Sequence, residues 1–444
     1  MKKNDTIKGF SKLSKENKIE RIASFLQEPQ AGVSLLKSFW HADSGVQKLL
    51  DEFSENTISN YFFPYGVSPN VMINGEVLMV PMVIEESSVV AAAANSARFW
   101  IERGGFHSKV ISTTKVGQVH FIWEGDHDLL NAYFHELRSL MLGRTRTITA
   151  NMEKRGGGIL DIELLNKRHE ISGYYQIVAS FDTRDAMGAN FINTCLEEFA
   201  EVLKTNLDMN PKLGGYECQV IMSILSNYTP ECLVETWVEC PVEELKGIDD
   251  ATDPEEFVKK FIKAVEISHV DVFRAATHNK GIFNGIDAVA LATGNDFRAV
   301  EACGHAYASR TGRYKGLTEV EVKNNIFKYK LSIPLALGSV GGLTHLHPLA
   351  RFSLELMGNP SAEKLMMIAS AVGLANNFSA LKSLVTKGIQ KGHMKMHLLN
   401  ILNTFKASET EKKLAVEYFK TNLVSNLNVS NFLNQIRFKK IKGN

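Results

Sequence analysis

The sequence predicts an α+β protein: a mainly helical body into which a small β-α-β-β-α-β unit is inserted. Three observations carry this reading. Between about residues 108 and 225, strand-like and helix-like segments alternate in the order of the ferredoxin-like split βαβ unit. After Asn227 the chain turns mainly helical in its apolar spacing. Its 444 residues have room for roughly two or three domains and bury a core without disulfide or metal staples.

The elements follow in order. Residues 15–27 place Ile19, Ile22, Ala23 and Leu26 on one helical face. Val71-Met72-Ile73 and residues 77–84 flank Asn74-Gly75, a dipeptide favoured in tight hairpins. Ser87 and Ser88 stand where an N-cap belongs, ahead of an alanine-rich helix over 89–100 that Gly104-Gly105 ends. In the inserted unit, strands are expected at 110–123, 158–165, 173–181 and 218–225, with helices at 128–142 and 189–205. Asp253-Pro254-Glu255-Glu256 opens a helix running through Ile267, its acidic first turn suiting the helix dipole. Further helices are expected at 296–309, 361–374, 379–391 and in the C-terminal region, with a strand at 326–337.

Composition excludes more than it assigns. The hydrophobic fraction of 44% and charged fraction of 22% are those of an ordinary globular protein. Fifty lysines and arginines against 49 acids leave a formal charge of +1, which argues against a nucleic-acid binder. The five cysteines, at 195, 218, 232, 240 and 303, form no Cys-x-x-Cys pair, so reduced thiols in a cytoplasmic setting are expected. No apolar stretch follows Met1-Lys2-Lys3-Asn4-Asp5, so no secretory signal is expected there. Apolar runs such as 89–94 are far short of the roughly 20 residues a membrane span needs.

Several segments could carry chemistry. Neither the Rossmann nor the P-loop glycine signature is present. Asp185-Ala186-Met187-Gly188-Ala189-Asn190 opens a helix, where free N–H groups favour a phosphate; a capped turn is the plainer reading. Gly338-Ser339-Val340-Gly341-Gly342 and Gly156-Gly157-Gly158 read more simply as turns. Thr277-His278-Asn279-Lys280-Gly281-Ile282 and Thr293-Gly294-Asn295-Asp296 are polar clusters between apolar runs. Lys280 there could serve as an electrophile held by Asp296, a surface-loop lysine being the commoner outcome. His393 and His397 stand four apart, but no Glu completes His-Glu-x-x-His. His345 and His347 lack a nearby third ligand and precede Pro348, so no metal is expected.

Together these segments resemble class II hydroxymethylglutaryl-CoA reductase, the soluble bacterial form. The matches are Glu55-Asn56-Thr57-Ile58, Val80-Pro81 with Glu85-Glu86, Asp185-Ala186-Met187-Gly188-Ala189-Asn190 and Ile224-Leu225-Ser226-Asn227. Then come Arg274-Ala275-Ala276-Thr277-His278-Asn279-Lys280-Gly281, Asn284-Gly285-Ile286-Asp287 and Thr293-Gly294-Asn295-Asp296. Val340-Gly341-Gly342 and Gly388-Ile389-Gln390-Lys391-Gly392-His393-Met394 end the set. They run in family order over nearly the whole chain, and the ordered set is specific where each member is weak.

The resemblance implies reduction of hydroxymethylglutaryl-CoA to mevalonate and CoA by two hydrides from NAD(P)H. It implies four catalytic residues: Lys280 stabilising the oxyanion, Asp296 paired with it, Glu55 donating a proton, and His393 protonating the CoA thiolate. Arg274 and Asn284 would hold substrate. Asp185, Ala186, Met187, Gly188 and Asn190 would form the dinucleotide loop, with Val340, Gly341 and Gly342 beside it. The implied domains are a discontinuous large substrate domain (1–109 and 223–386), a small NAD(P)-binding domain (110–222) and a C-terminal helical flap (387–444). A homodimer with shared active sites is also implied.

Ser59 and Leu343 depart from the family's usual residues. NADH-using members carry an aspartate shortly before the triple glycine; here no acid precedes Glu153, and Arg144 and Arg146 favour NADPH. The rival expectations are an NADH enzyme run towards mevalonate degradation, a non-catalytic CoA-thioester binder, and a metal enzyme using His345, His347, His393 or His397.

Overall fold

The computed structural model describes residues 6–208, 210–248, 253–386 and 398–442. Two compact units divide the chain, Met1–Pro64 and Tyr65–Asn444.

In the first unit Ser14 caps α1 (Lys15–Ala23) by accepting from the Asn17 amide, and the helix buries Ile19 and Ala23. It ends sooner than the periodicity suggests. α2 (Pro29–Ser38) starts with proline at its first turn, and α3 (Ser44–Asp51) is capped by Asp43; neither was expected. Lys15 ties the helices together, 2.7 Å from Asp51 and over the Trp40 ring. Ser59, one of the departures, donates to the Leu36 carbonyl at 2.6 Å.

The second unit opens with the expected hairpin, β1 (Tyr65–Ile73) and β2 (Glu76–Val83). Asn74 and Gly75 both take positive φ, 49° and 85°, as a type I′ turn demands. α4 (Val89–Ile101) follows; Ser88 occupies its N-cap position, but in left-handed backbone and without capping through its side chain. Gly105 ends that segment for a steric reason: a Cβ there would lie 2.7 Å from the Met72 carbonyl.

The single strand expected at 110–123 is two strands in different sheets. β3 (His107–Val110) and β4 (Lys115–Ile122) are separated by a turn in which the Thr114 amide donates to Ser112 Oγ at 3.2 Å. β4, α5 (His127–Glu153), β5 (Gly158–Asn166), β6 (Tyr174–Asp182), α6 (Ala189–Leu207) and β7 (Gln219–Leu225) make the β-α-β-β-α-β unit. Its antiparallel sheet has the order β5-β6-β4-β7, which is the split βαβ arrangement. Strict alternation along β4 and β6 turns Val119, Phe121, Tyr175 and Ile177 inward. Leu137 and Met141 of α5 and Leu196 and Phe199 of α6 join them in one core.

A second core gathers residues from both sides of this insertion. It contains a sheet ordered β3-β8-β10-β9, in which β8 (Leu233–Pro241) and β9 (Thr318–Lys323) join the expected β10 (Ile326–Pro334). Its helices are α7 (Pro254–Val270), α8 (Val272–Ala292), α9 (Phe297–Ala308), α10 (Leu343–Leu346), α11 (Pro348–Leu356) and α12 (Ala362–Val385). The helix expected at 361–374 and the described part of the one expected at 379–391 are one helix, and residues 387–391 lie outside the described residues. α12 is buried almost all round, and Asn377, between the two expected segments, is satisfied by Tyr329 and by the His278 carbonyl. α8 crosses it closely. A Cβ on Gly285 would stand 2.5 Å from the Val372 carbonyl, and one on Gly373 would stand 2.7 Å from Ile286.

Beyond the undescribed stretch, helical residues 398–404 (α13), α14 (Glu409–Tyr418) and α15 (Asn426–Lys442) share a small core around Leu402, Ala415, Val429 and Leu433. Among the described residues, no helix is long and apolar enough to cross a membrane.

Candidate active site

The polar cluster 277–282 is not a loop; it lies in the middle of α8. Its members divide by face. His278 is buried against Thr318 Oγ1 at 2.6 Å, and Asn279 bridges the Lys315 carbonyl and the Leu317 amide at 3.0 Å each. Both lock the helix to the segment entering β9. Burial, with Arg274 and His269 nearby, pushes the His278 imidazole down to about 3, so it stays neutral. Lys280 is left on the open face, where it pairs with Glu86.

Asn284 lies one turn on from Lys280, on the same face. Arg274, one helical turn before His278, is half-buried, and burial lowers its pKa. Among the described residues it makes no hydrogen bond or ion pair. A guanidinium in that condition is a ready receptor for a carboxylate.

Asp296 does not pair with Lys280. Its carboxylate caps α9, accepting from the Arg298 and Ala299 amides, and it ion-pairs with Arg298 at 3.2 Å. Burial raises its pKa, but the Arg298 side chain and those amides outweigh it and hold the group below its ordinary value. The reason is local: an aspartate before a helix takes its first-turn amides.

Neighbouring Asn295 does something the sequence reading missed. Its amide donates to the Gly338 carbonyl at 3.0 Å and accepts from the Gly338 amide at 2.8 Å. Gly338 in turn lies against the dinucleotide-type loop, where a Cβ would stand 2.5 Å from the Met187 amide nitrogen. Ser339 and Val340 donate to the Asp185 carbonyl, and Val340 pairs with Ala186 in a parallel bridge. The two glycine-bearing segments, far apart in sequence, are thus one structure. A cleft of about 580 Å³ opens beside them, lined by Asp185, Ser339, Val340, Thr344, His345 and Arg351 among others.

The loop's own residues suit an anion. α6 begins at Gly188 with φ 90°, no capping side chain and no acid in its first turn, which includes Asn190. Its leading amides and dipole are therefore available to a phosphate. Gly188 is required, since a Cβ would lie 2.4 Å from Thr183. Asp185 has its Oδ1 engaged by the Ala362 amide at 2.8 Å, so it ties the loop to α12. Gly341 and Gly342 continue in positive φ, at 87° and 55°. The triple glycine has a packing reason as well: Arg184 donates to the Gly156 carbonyl, and a Cβ on Gly157 would meet the Asp182 carbonyl at 2.5 Å. Arg144 and Arg146 sit on exposed positions of α5, and Arg144 is held by Glu198 at 2.6 Å.

Glu55 is an exposed residue after α3 in the N-terminal unit, followed by Asn56 in left-handed backbone. His393 and His397 fall outside the described residues. His347 caps α11, accepting from the Leu349 amide at 3.2 Å, which is an ordinary structural duty. Among the described residues, no three His, Cys, Asp or Glu side chains gather as a metal site would require. Of the residues whose contacts the sequence reading missed, Glu86 had a signal in the Glu85-Glu86 pair and Asn295 one in the Thr293-Gly294-Asn295-Asp296 cluster.

An uncapped helix start cradled by glycines, in the same unit as a lysine-bearing helix, equips an enzyme for a phosphate-bearing ligand. The profile of the family described as hydroxymethylglutaryl-coenzyme A reductase matches residues 18–398. An Archaeoglobus fulgidus 3-hydroxy-3-methylglutaryl-coenzyme A reductase is 38% identical over 93% of this chain and 90% of its own. A solved structure of the Streptococcus pneumoniae reductase superposes with TM-score 0.70 at 34% identity, covering 97% of this chain and all of that one. A structure of the class II S. pneumoniae enzyme bound to NADPH, in open conformations, gives TM-score 0.69 at 35% identity over 86% of this chain and all of that one. The chain belongs to the hydroxymethylglutaryl-coenzyme A reductase family, and its structural neighbours are of class II.

Proposed function

We propose that this chain reduces hydroxymethylglutaryl-CoA to mevalonate and free CoA, with NADPH as the preferred reductant. The observation that carries the reading is two cations on α8: Lys280 on the exposed face, where it pairs with Glu86, and a half-buried Arg274 that makes no hydrogen bond or ion pair with a described residue. The nicotinamide, when bound, supplies hydride to the thioester carbonyl and then to the aldehyde. Lys280 holds the developing oxyanion, a fixed cation needing little reorganisation. Arg274 and Asn284 take the substrate's polar groups, the forked guanidinium suiting its carboxylate. His393 protonates the thiolate expelled as the hemithioacetal collapses to the aldehyde, and Glu55 donates the proton that the alcohol oxygen takes up in the second reduction. Both roles rest on the family motifs around those residues.

The small domain, 110–222, holds the dinucleotide through Ala186, Met187, Gly188 and Asn190, with Asp185 fixing the loop and Val340, Gly341 and Gly342 flanking it. The uncapped start of α6 supports this assignment. The NADPH preference rests on Arg146 and on the lack of an acid over residues 146–152, ahead of Glu153. Arg144 is a weaker contributor, because Glu198 already neutralises it. A homodimer is supported by exposed Val67, Val77 and Met79 on the β1–β2 hairpin, an apolar surface suited to a second copy. Five unpaired, buried cysteines suit a cytoplasmic enzyme.

An absorbance assay at the nicotinamide band tests all of this. Oxidation of NADPH that depends on hydroxymethylglutaryl-CoA, with higher kcat/KM than for NADH and no sensitivity to EDTA, is expected. No substrate-dependent oxidation with either nucleotide would overturn the reading.

A further inference from the structure

The first residue of β4 is a lysine in an unusual position. Lys115 is only 4% exposed. Its ammonium donates to Thr183 Oγ1 at 2.5 Å and to the Ala186 carbonyl at 3.0 Å, while Thr183 itself donates to the same carbonyl at 2.7 Å. The lysine therefore grips the turn that ends three residues before α6 begins. It does so from below, inside the fold.

No carboxylate lies within ion-pair distance of it among the described residues. The acids whose charges act on it, Asp182 and Asp185, are committed elsewhere: Asp182 accepts from the Arg184 amide at 2.8 Å, and Asp185 accepts from the Ala362 amide at 2.8 Å. Two thiols face the same region, Cys232 and Cys303, and neither supplies a negative charge. Burial pushes Cys232 up to about 11 and raises Cys303 as well. A buried ammonium without a counter-ion is costly, by several kcal/mol in general. The adjoining cavity, lined by Lys115, Met187, Ile192, Asn227, Thr229 and Cys303 among others, is about 20 Å³. That is room for one water and not for a phosphate.

We propose that Lys115 is a positioning residue for the cofactor: it clamps the Thr183–Ala186 turn and places a buried positive charge beneath the amides that receive the dinucleotide's pyrophosphate. This rests on the reading of 185–190 as the cofactor loop. The charge acts through the loop rather than by touching the ligand, and low surrounding polarity leaves it poorly screened. The bound pyrophosphate is then the missing counter-anion. Burial makes the amine easier to deprotonate than an ordinary lysine, so the help it gives is lost earlier as pH rises.

The test is the NADPH dissociation constant, read from nicotinamide fluorescence, alongside steady-state kinetics, for wild type, Lys115→Met and Lys115→Arg. The methionine variant is expected to bind NADPH about tenfold more weakly or worse, with kcat at saturating cofactor within about threefold of wild type. Wild-type affinity should fall between neutral pH and pH 10, while Lys115→Arg, whose guanidinium stays charged, should show a flatter profile. Unchanged NADPH affinity in Lys115→Met would overturn the proposal, as would equal losses in kcat and in affinity for both substrates. If the variants do not fold, the wild-type profile decides: constant affinity up to pH 10 sinks the idea. Wild-type protein that binds NADPH but does not reduce hydroxymethylglutaryl-CoA refutes the proposed function while leaving this inference standing. Failure to bind NADPH refutes both.

Discussion

Asn295 holds Gly338 by two hydrogen bonds, amide to carbonyl and carbonyl to amide, at 3.0 and 2.8 Å. Through Gly338 the loop before α9 reaches the Met187 amide, and so the start of α6. The lysine-bearing α8 ends just before that same loop, so α8 and the start of α6 connect through one backbone clamp.

Asn295→Ala should loosen this clamp by leaving both Gly338 groups without their partner. Each such loss costs about 1–3 kcal/mol when buried. The expected result is a lower melting temperature and a raised KM for the nicotinamide cofactor, measured by calorimetry and initial rates. An unchanged KM would show that the loop is held by other contacts.

Lys280→Ala should abolish both reductions, by roughly 10³-fold or more, with little change in stability because the side chain is exposed. Glu86→Gln should cost far less, at most about fivefold in kcat, since an exposed ion pair contributes at most about 1 kcal/mol. Single-turnover reduction of hydroxymethylglutaryl-CoA and of mevaldehyde, assayed separately, checks both.

His393→Gln should chiefly impair release of the CoA thiolate and leave mevaldehyde reduction working. Equal loss of the two activities would end that division of labour.

His278 predicts an acid limb of stability. Its pKa is about 3 in the folded chain and about 6.5 when unfolded. Between those values the unfolded state binds the extra proton, so this contribution is complete above about pH 6.5 and is lost as pH falls towards 3. His278→Gln should flatten the dependence of melting temperature on pH in that window. A variant with the wild-type slope would assign the acid limb to other groups.

Gly285→Ala should destabilise the protein by about 1–3 kcal/mol, because its Cβ would stand 2.5 Å from the Val372 carbonyl at the α8–α12 crossing. Chemical denaturation measures this, and a neutral effect would mean that the helices separate without strain.

The sequence by itself determined the hairpin at Asn74-Gly75, the β-α-β-β-α-β unit and the family, because each rests on local pattern: turn chemistry, alternation over a strand, or a short ordered motif. It also marked Lys280 and the 185–190 loop as places for chemistry. Tertiary structure decided what those residues touch. Only the fold shows that β3 and β4 belong to different sheets, that Asn377 lies within one continuous helix, and that Asp296 caps α9 while Glu86 pairs with Lys280. It alone reveals that Asn295 bonds Gly338 and that Lys115 bonds Thr183 and the Ala186 carbonyl. Hydrogen-bond partners and burial are set by segments that pack together across long sequence separations, and no local periodicity encodes which carbonyl a buried side chain will meet.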